Sequence, residues 1–280
     1  MTAESQAAAP PVVRIAPPQG WSLPDFRELW HYRDLASFIV WRDLKVRYKQ
    51  TVLGVLWAII QPLFTMVVFS VVFGRLARLP SDGVPYPVFT FAALLPWQLF
   101  AAGLSAAAGS VVGSAGLVTK VYFPRLVVPI AAILVPLADF LISSVFASAL
   151  LIWYGISPSP AILALPVFLL IAIATALAAG LWLAALNVRY RDVHHVMPFL
   201  VQAWLFASPV AYSLSLVPEK WRGIYALNPM VTVIQGFRWS LVGGTSPWPL
   251  VPSSLLVLTA LLVGGLLYFR RMEDSFADVI

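Results

Sequence analysis

Six stretches of this chain are apolar and long, at about residues 52 to 73, 87 to 109, 127 to 153, 161 to 186, 196 to 212 and 250 to 269. At about 1.5 Å of rise per helical residue, runs of this kind suit a hydrocarbon layer about 30 Å thick. The fifth is the shortest and contains Pro198 and Pro209. Hydrophobic residues make up 60% of the 280 and charged residues only 11%, less than half the charge density of an ordinary soluble surface. The sequence therefore predicts an all-α integral membrane protein of six transmembrane helices.

The cations set the orientation. Residues 1 to 51 carry seven Lys and Arg, and three further segments carry two each: Lys120 and Arg125, Arg189 and Arg191, Arg270 and Arg271. The opposite side receives five, Arg75, Arg78, Lys220, Arg222 and Arg238. Thirteen against five places both termini in the cytoplasm. The net charge of +6 is dispersed in clusters at span ends rather than gathered in one stripe, which argues against nucleic acid as a partner. The absence of Cys rules out disulfides and thiolate chemistry.

Four regions follow. Residues 1 to 21, rich in Ala and Pro, read as a disordered cytoplasmic tail. Residues 22 to 51 read as an amphipathic interface helix that starts at a capping box on Ser22 and breaks near Asp34. It carries Phe26, Trp30, Trp41, Leu44 and Tyr48 on one side, with Leu35, Phe38 and Ile39 spoiling the stripe, and is expected to rest on anionic lipid headgroups. Residues 52 to 269 form the permease domain and 270 to 280 a cytoplasmic tail. Before the last span, Asn228 and Pro229 read as a helix start, and the apolar run after them is too short to cross. Two short re-entrant helices are expected, near Pro218 to Tyr225 and Pro229 to Leu241.

The stretch "RDLKVRYKQTVLGVLWAIIQPL" (42 to 63) joins a basic helix ending in Tyr48 to Leu53-Gly54, Trp57 and Gln61-Pro62. Together with "LVTKVYFPRLVVP" (117 to 129), "NVRYRDV" (187 to 193) and "LNPM" (227 to 230), it resembles the membrane subunits of type-2 ATP-binding-cassette exporters that move O-antigen, capsular polysaccharide or teichoic acid out of bacteria. The resemblance covers roughly residues 25 to 272. It implies a permease in the bacterial inner membrane, working as a homodimer with two copies of a cytoplasmic ATPase subunit and carrying a lipid-linked polysaccharide. It also implies contact with the ATPase at Arg42, Lys45, Arg47, Tyr48, Lys120, Tyr122, Phe123 and Arg125, with Arg189, Arg191 and Asp192 as further candidates. Asn228, Pro229 and Arg238 would belong to an outer gate.

The chain's own chemistry fits a passive wall. It has no G-x-x-x-x-G-K-[ST] loop to cradle phosphates, so no ATP or other cofactor is expected on it, and no enzymatic activity of its own. The only acid inside a span is Asp139, expected to be held by Ser143 or by another helix rather than to serve an ion relay. A polysaccharide path needs aromatic faces and neutral amides. The candidates are Trp57, Trp97, Phe100, Trp204, Phe206 and Tyr212 with Gln61, Gln98, Gln202 and Asn187. Against these stand the ordinary roles of aromatics at membrane interfaces and of amides as helix ties. An exporter of a drug or small lipid, or a membrane-embedded enzyme on lipid-linked glycans, are the alternative functions; the second would need convergent acids or His at the membrane face, which the sequence lacks.

Overall fold

The computed structural model describes residues 24–49, 54–157 and 159–279. The expected tail over 1 to 21 and the expected cap at Ser22 lie outside them. Every regular element among the described residues is helical. In chain order these are α1 (Phe26–His31), α2 (Arg33–Lys49), α3 (Trp57–Phe69), α4 (Tyr86–Gly113), α5 (Ala115–Val118), α6 (Val127–Leu134), α7 (Pro136–Trp153), α8 (Leu165–Arg189), α9 (Val193–Phe206), α10 (Glu219–Tyr225), α11 (Pro229–Val242), α12 (Val251–Glu273) and α13 (Phe276–Val279).

Local chemistry explains most boundaries. The Asp25 carboxylate caps α1 by accepting from the Arg27 N–H at 2.8 Å, and the expected break near Asp34 falls at Tyr32. Wide π-type turns over Ser70–Leu76 carry α3 onward. Pro136 has no N–H to give a preceding turn, so α6 and α7 meet at a joint in one span, Val127–Trp153. Asn228 caps α11, its Oδ1 accepting from the Met230 N–H at 3.1 Å, with Pro229 in the first turn as the sequence predicts.

Among the described residues, five helices are long and apolar enough to cross a membrane: Gly54–Leu76, Tyr86–Gly113, Val127–Trp153, Pro160–Arg189 and Trp248–Glu273. The fifth apolar stretch of the sequence becomes α9, whose 14 residues reach about 21 Å at about 1.5 Å per residue. Residues after Phe206 turn instead of continuing the helix, and the freed carbonyls there are taken by side chains. Asn228 Nδ2 donates to the Ala207 carbonyl at 3.2 Å, the Tyr86 hydroxyl to that of Ala211, and the Arg238 guanidinium to those of Val210 (2.8 Å) and Tyr212 (3.1 Å). Buried backbone groups must be paired, and here a loop is paired without regular structure.

The centre of the bundle is α4, apolar on all sides and buried along most of its length. It packs against α3, α6, α7, α8 and α11. The approach to α8 is close because small residues meet: a Cβ added to Gly180 would stand 2.6 Å from the Ala107 Cβ. Likewise a Cβ on Gly236 of α11 would meet the Phe168 ring at 2.4 Å. A second core lies at the α2 end of the bundle, where Ile39, Phe123, Phe269 and Phe276 are buried together. Two of the three residues that spoil the aromatic stripe of the interface helix, Leu35 and Ile39, face protein, while Phe38 is exposed together with Phe26, Trp30 and Trp41. Hydropathy around the helix marks an apolar side but not whether lipid or protein covers it.

Candidate functional site

Helices α3, α4 and α7, with one edge of α9, enclose an open groove of about 590 Å³. Four of the sequence-predicted path residues line it: Trp57 and Gln61 from α3, Trp97 and Gln98 from α4. Pro62 helps make the wall. Lacking an N–H, it leaves the Ala58 carbonyl without its helical donor, and the Ser143 hydroxyl of α7 supplies one at 2.7 Å. Ser143 is therefore committed to α3 and does not hold Asp139.

Asp139 is held by another helix, the second of the two expected arrangements. Its carboxylate pairs with the Arg47 guanidinium and accepts from the Tyr48 hydroxyl, both on α2. The three side chains close the α2 end of the groove. Burial and then the hydrogen bond to Asp139 push the Tyr48 hydroxyl up to about 12, so it stays protonated and remains a donor through the neutral range. Asp139 is a partly open ion pair, its side chain 21% exposed and that of Arg47 44%.

The remaining path candidates sit elsewhere. Phe100 is fully buried and meets Trp204 edge to face at 4.8 Å. The Trp204 indole N–H donates to Asn228 Oδ1 at 2.9 Å, which ties α9 to the start of α11. Asn187 donates to the Ala108 carbonyl at 3.0 Å and is a helix tie. Gln202 and Phe206 are exposed on α9 and do not line the groove. Tyr212 donates to the Phe206 carbonyl at 3.1 Å and shares a hydrogen bond with Tyr225.

Of the residues with an expected ATPase contact, Arg42, Lys45, Lys120, Tyr122, Arg189, Arg191 and Asp192 are exposed. Arg42 lies 2.8 Å from its neighbour Asp43, and the Lys45 ammonium sits 5.0 Å from the Trp41 ring centre. Phe123 is only 3% exposed, so its ring is part of the core and not of a docking face. Nor is Arg125 a free loop charge. Its backbone N–H donates to Glu273 Oε1 at 2.8 Å and its guanidinium to the Glu273 carbonyl, which fastens the loop to the end of α12.

Of the outer-gate trio, Pro229 is buried in the first turn of α11 and Asn228 is the knot between α9 and α11 already described. Arg238 is 3% exposed. Its guanidinium lies 3.6 Å from the centre of the Phe89 ring and donates to the carbonyls of Phe89, Val210 and Tyr212. Sequence reasoning missed Glu273 and Asp82, which hold polar contacts far along the chain, and Gln235, which bonds Thr245 just past its own helix. Only Glu273, an acid in the last turn of a helix that favours cations there, carried a local signal.

Comparison with known proteins accounts for this combination of helices without a nucleotide loop. Over 259 residues, 91% of this chain and 98% of the relative, the sequence is 36% identical to a Myxococcus xanthus protein named O-antigen export system permease protein RfbA. A Klebsiella pneumoniae protein of the same name is 27% identical over 88% of the chain and 95% of its own length. The Escherichia coli polysialic acid transport protein KpsM is 24% identical over 83% of the chain and 91% of its own length. Residues 35–242, which include α4, the groove and α11, match the family described as ABC-2 type transporter, and to that family the chain belongs.

Proposed function

We propose that this protein is the membrane subunit of an exporter that moves polysaccharide across the bacterial cytoplasmic membrane, driven by a separate ATPase. The observation that carries the reading is the groove. Indole rings of Trp57 and Trp97 and amides of Gln61 and Gln98 stand on its walls, and charge is confined to Arg47 and Asp139 at one end. Such a lining holds sugar rings weakly and repeatedly, by ring faces against C–H surfaces and neutral hydrogen bonds. The three relatives described above, each matching most of the chain, carry O-antigen or polysialic acid transport names, which favours a glycan polymer over a drug or small lipid.

Two copies would complete the channel. In one chain only 11% of the apolar window of Gly54–Leu76 and 17% of that of Trp248–Glu273 are buried, so both helices have faces left for lipid or for a second subunit. A sixth crossing is assembled from α9 and the turns after it. Ser208, Pro209, Val210 and Ala211 are buried in protein, the condition under which irregular backbone is tolerated at membrane depth. The charge asymmetry puts both termini in the cytoplasm and α10 and α11 in the outer leaflet. On the cytoplasmic side the exposed Arg42, Lys45, Lys120, Tyr122, Arg189, Arg191 and Asp192 form the ATPase-facing set. Arg47, Tyr48 and Arg125 carry motion into the spans through their bonds to Asp139 and Glu273.

The test is deletion of the gene in its own cell, followed by complementation. Loss of surface glycan with intracellular accumulation, restored by the chain together with its ATPase, is expected; normal surface glycan in the deletion strain overturns the reading. Exchange of Gln98 for a bulky Trp should block export without loss of protein.

A further inference from the structure

A second cavity, of about 530 Å³, lies at the opposite end of the bundle from α2, where residues 81 to 84 meet the end of α11. It is separate from the groove, with no lining residue in common. Gln235 is only 7% exposed and lines it. Both amide hydrogens of Gln235 face Thr245, to the hydroxyl at 2.7 Å and to the carbonyl at 3.2 Å, while Oε1 accepts from no described residue. That oxygen is not among the enclosed polar atoms without a partner, so it opens on the cavity, where a ligand donor can meet it.

The other groups narrow the ligand. Asp82, held in a left-handed turn at φ 54, accepts from the hydroxyls of Ser213 and Ser215 and lines the same cavity. Arg238 presents a guanidinium with three carbonyl acceptors and, among the described residues, no carboxylate within ion-pair distance. At the rim, Gly243 and Gly244 have φ of 80 and 102, and a Cβ at either would meet nothing within 4 Å, so the entrance is unobstructed. A bare anion would satisfy the guanidinium but place its charge beside Asp82 and offer Gln235 Oε1 no hydrogen. A cation would do the reverse. A hydroxyl group both donates and accepts, and several on one ring can satisfy all three at once.

We infer that this cavity is a saccharide-binding site, taking a neutral, hydroxyl-rich sugar unit of the exported chain as it leaves the groove. The inference rests on the proposed transport function and outward orientation. Held there, the emerging end would be kept from sliding back between power strokes.

The chain has no Cys, so Ser246→Cys at the cavity wall gives one reactive thiol in the full-length protein, reconstituted in nanodiscs with its ATPase. The probe is oligosaccharide released by mild acid from the surface polysaccharide of the producing cell, with inorganic phosphate as the anionic control. Alkylation of the thiol should be slowed by the oligosaccharide and not by phosphate. Adding Gln235→Leu should weaken that protection about tenfold, one hydrogen bond's worth, and Gln235→Glu, which keeps an acceptor oxygen, should retain it. No protection by the oligosaccharide, or protection by phosphate instead, overturns the assignment. If Gln235→Leu lowers protein level, Ser215→Ala replaces it, with the same weakened protection expected. Export by the parent strain is scored separately: a strain that exports normally while the thiol is never protected refutes the site and leaves the transport reading standing.

Discussion

Asp139 and Arg238 are both single charges among apolar helices, and they are held in opposite ways. Arg238 is almost wholly enclosed, and its partners are backbone carbonyls of Phe89, Val210 and Tyr212 plus the face of the Phe89 ring. Asp139 is partly open, and its partners are the side chains of Arg47 and Tyr48 on the helix that precedes the first span. A guanidinium has five donors in a fixed fork, so it can fasten an irregular segment to a helix with no counter-charge, at the price of being unable to let go. A carboxylate gripped by two flexible side chains can be released when the helix carrying them moves. One is a staple, the other a clasp.

The largest expected effect breaks the staple. Arg238→Leu leaves the carbonyls of Val210 and Tyr212, which lie outside any helix, without donors, at about 1 kcal/mol or more each, and takes the guanidinium off the Phe89 ring, so a loss of at least about 2 kcal/mol is expected. Thermal unfolding in detergent and protein level in the membrane would read it. Wild-type stability would show that water, not Arg238, pairs those carbonyls. Arg125→Glu comes next, because it sets a carboxylate against Glu273, which is 8% exposed. A cost of about 2 kcal/mol is expected, together with loosening of the α12 end, measurable as faster hydrogen exchange there. A docking role alone would leave that exchange unchanged.

Opening the clasp should affect function more than fold. Asp139→Asn keeps an acceptor for Tyr48 and removes the charge from a pair that is partly exposed, so stability should change by about 1 kcal/mol or less. ATP hydrolysis by the complex should continue while glycan export per ATP falls; unchanged coupling would reduce the triad to an anchor. The smallest effect is expected from Tyr48→Phe. The Tyr48 hydroxyl has its pKa raised in the folded chain, so its contribution is complete below the unfolded value near 10 and disappears only as pH rises through about 12. The difference in stability between parent and variant should therefore be flat with pH through the neutral range, and a slope there would overturn this account of the Tyr48 bond.

The two charges also differ in how far the sequence foretold them. That Asp139 needed a partner followed from one acid in an apolar run, but Arg47 and Tyr48 lie 92 and 91 positions away and nothing local points to them. Arg238 was legible as a charge in a short apolar helix, and its carbonyl partners were not, because backbone acceptors leave no mark in a sequence. Within the groove, Gln61 and Gln98 were picked by chemistry and are on its wall, whereas Trp204 and Phe100, of the same chemistry, pack on each other inside the bundle.

Local signals by themselves determined the helical class, the five long apolar helices and the start of α11 at Asn228, since hydropathy over 20 or so residues and a cap followed by Pro act within a single segment. Only the tertiary structure decided which side of α2 meets protein, where α9 stops, and that Phe123 and Arg125 serve the fold before any partner. The reason is physical: in a chain apolar on nearly every face, hydrophobicity drives each segment into the membrane without ranking its neighbours. The ranking is left to small-residue contacts such as Gly180 with Ala107, and to the few polar groups that must find a partner wherever the fold provides one.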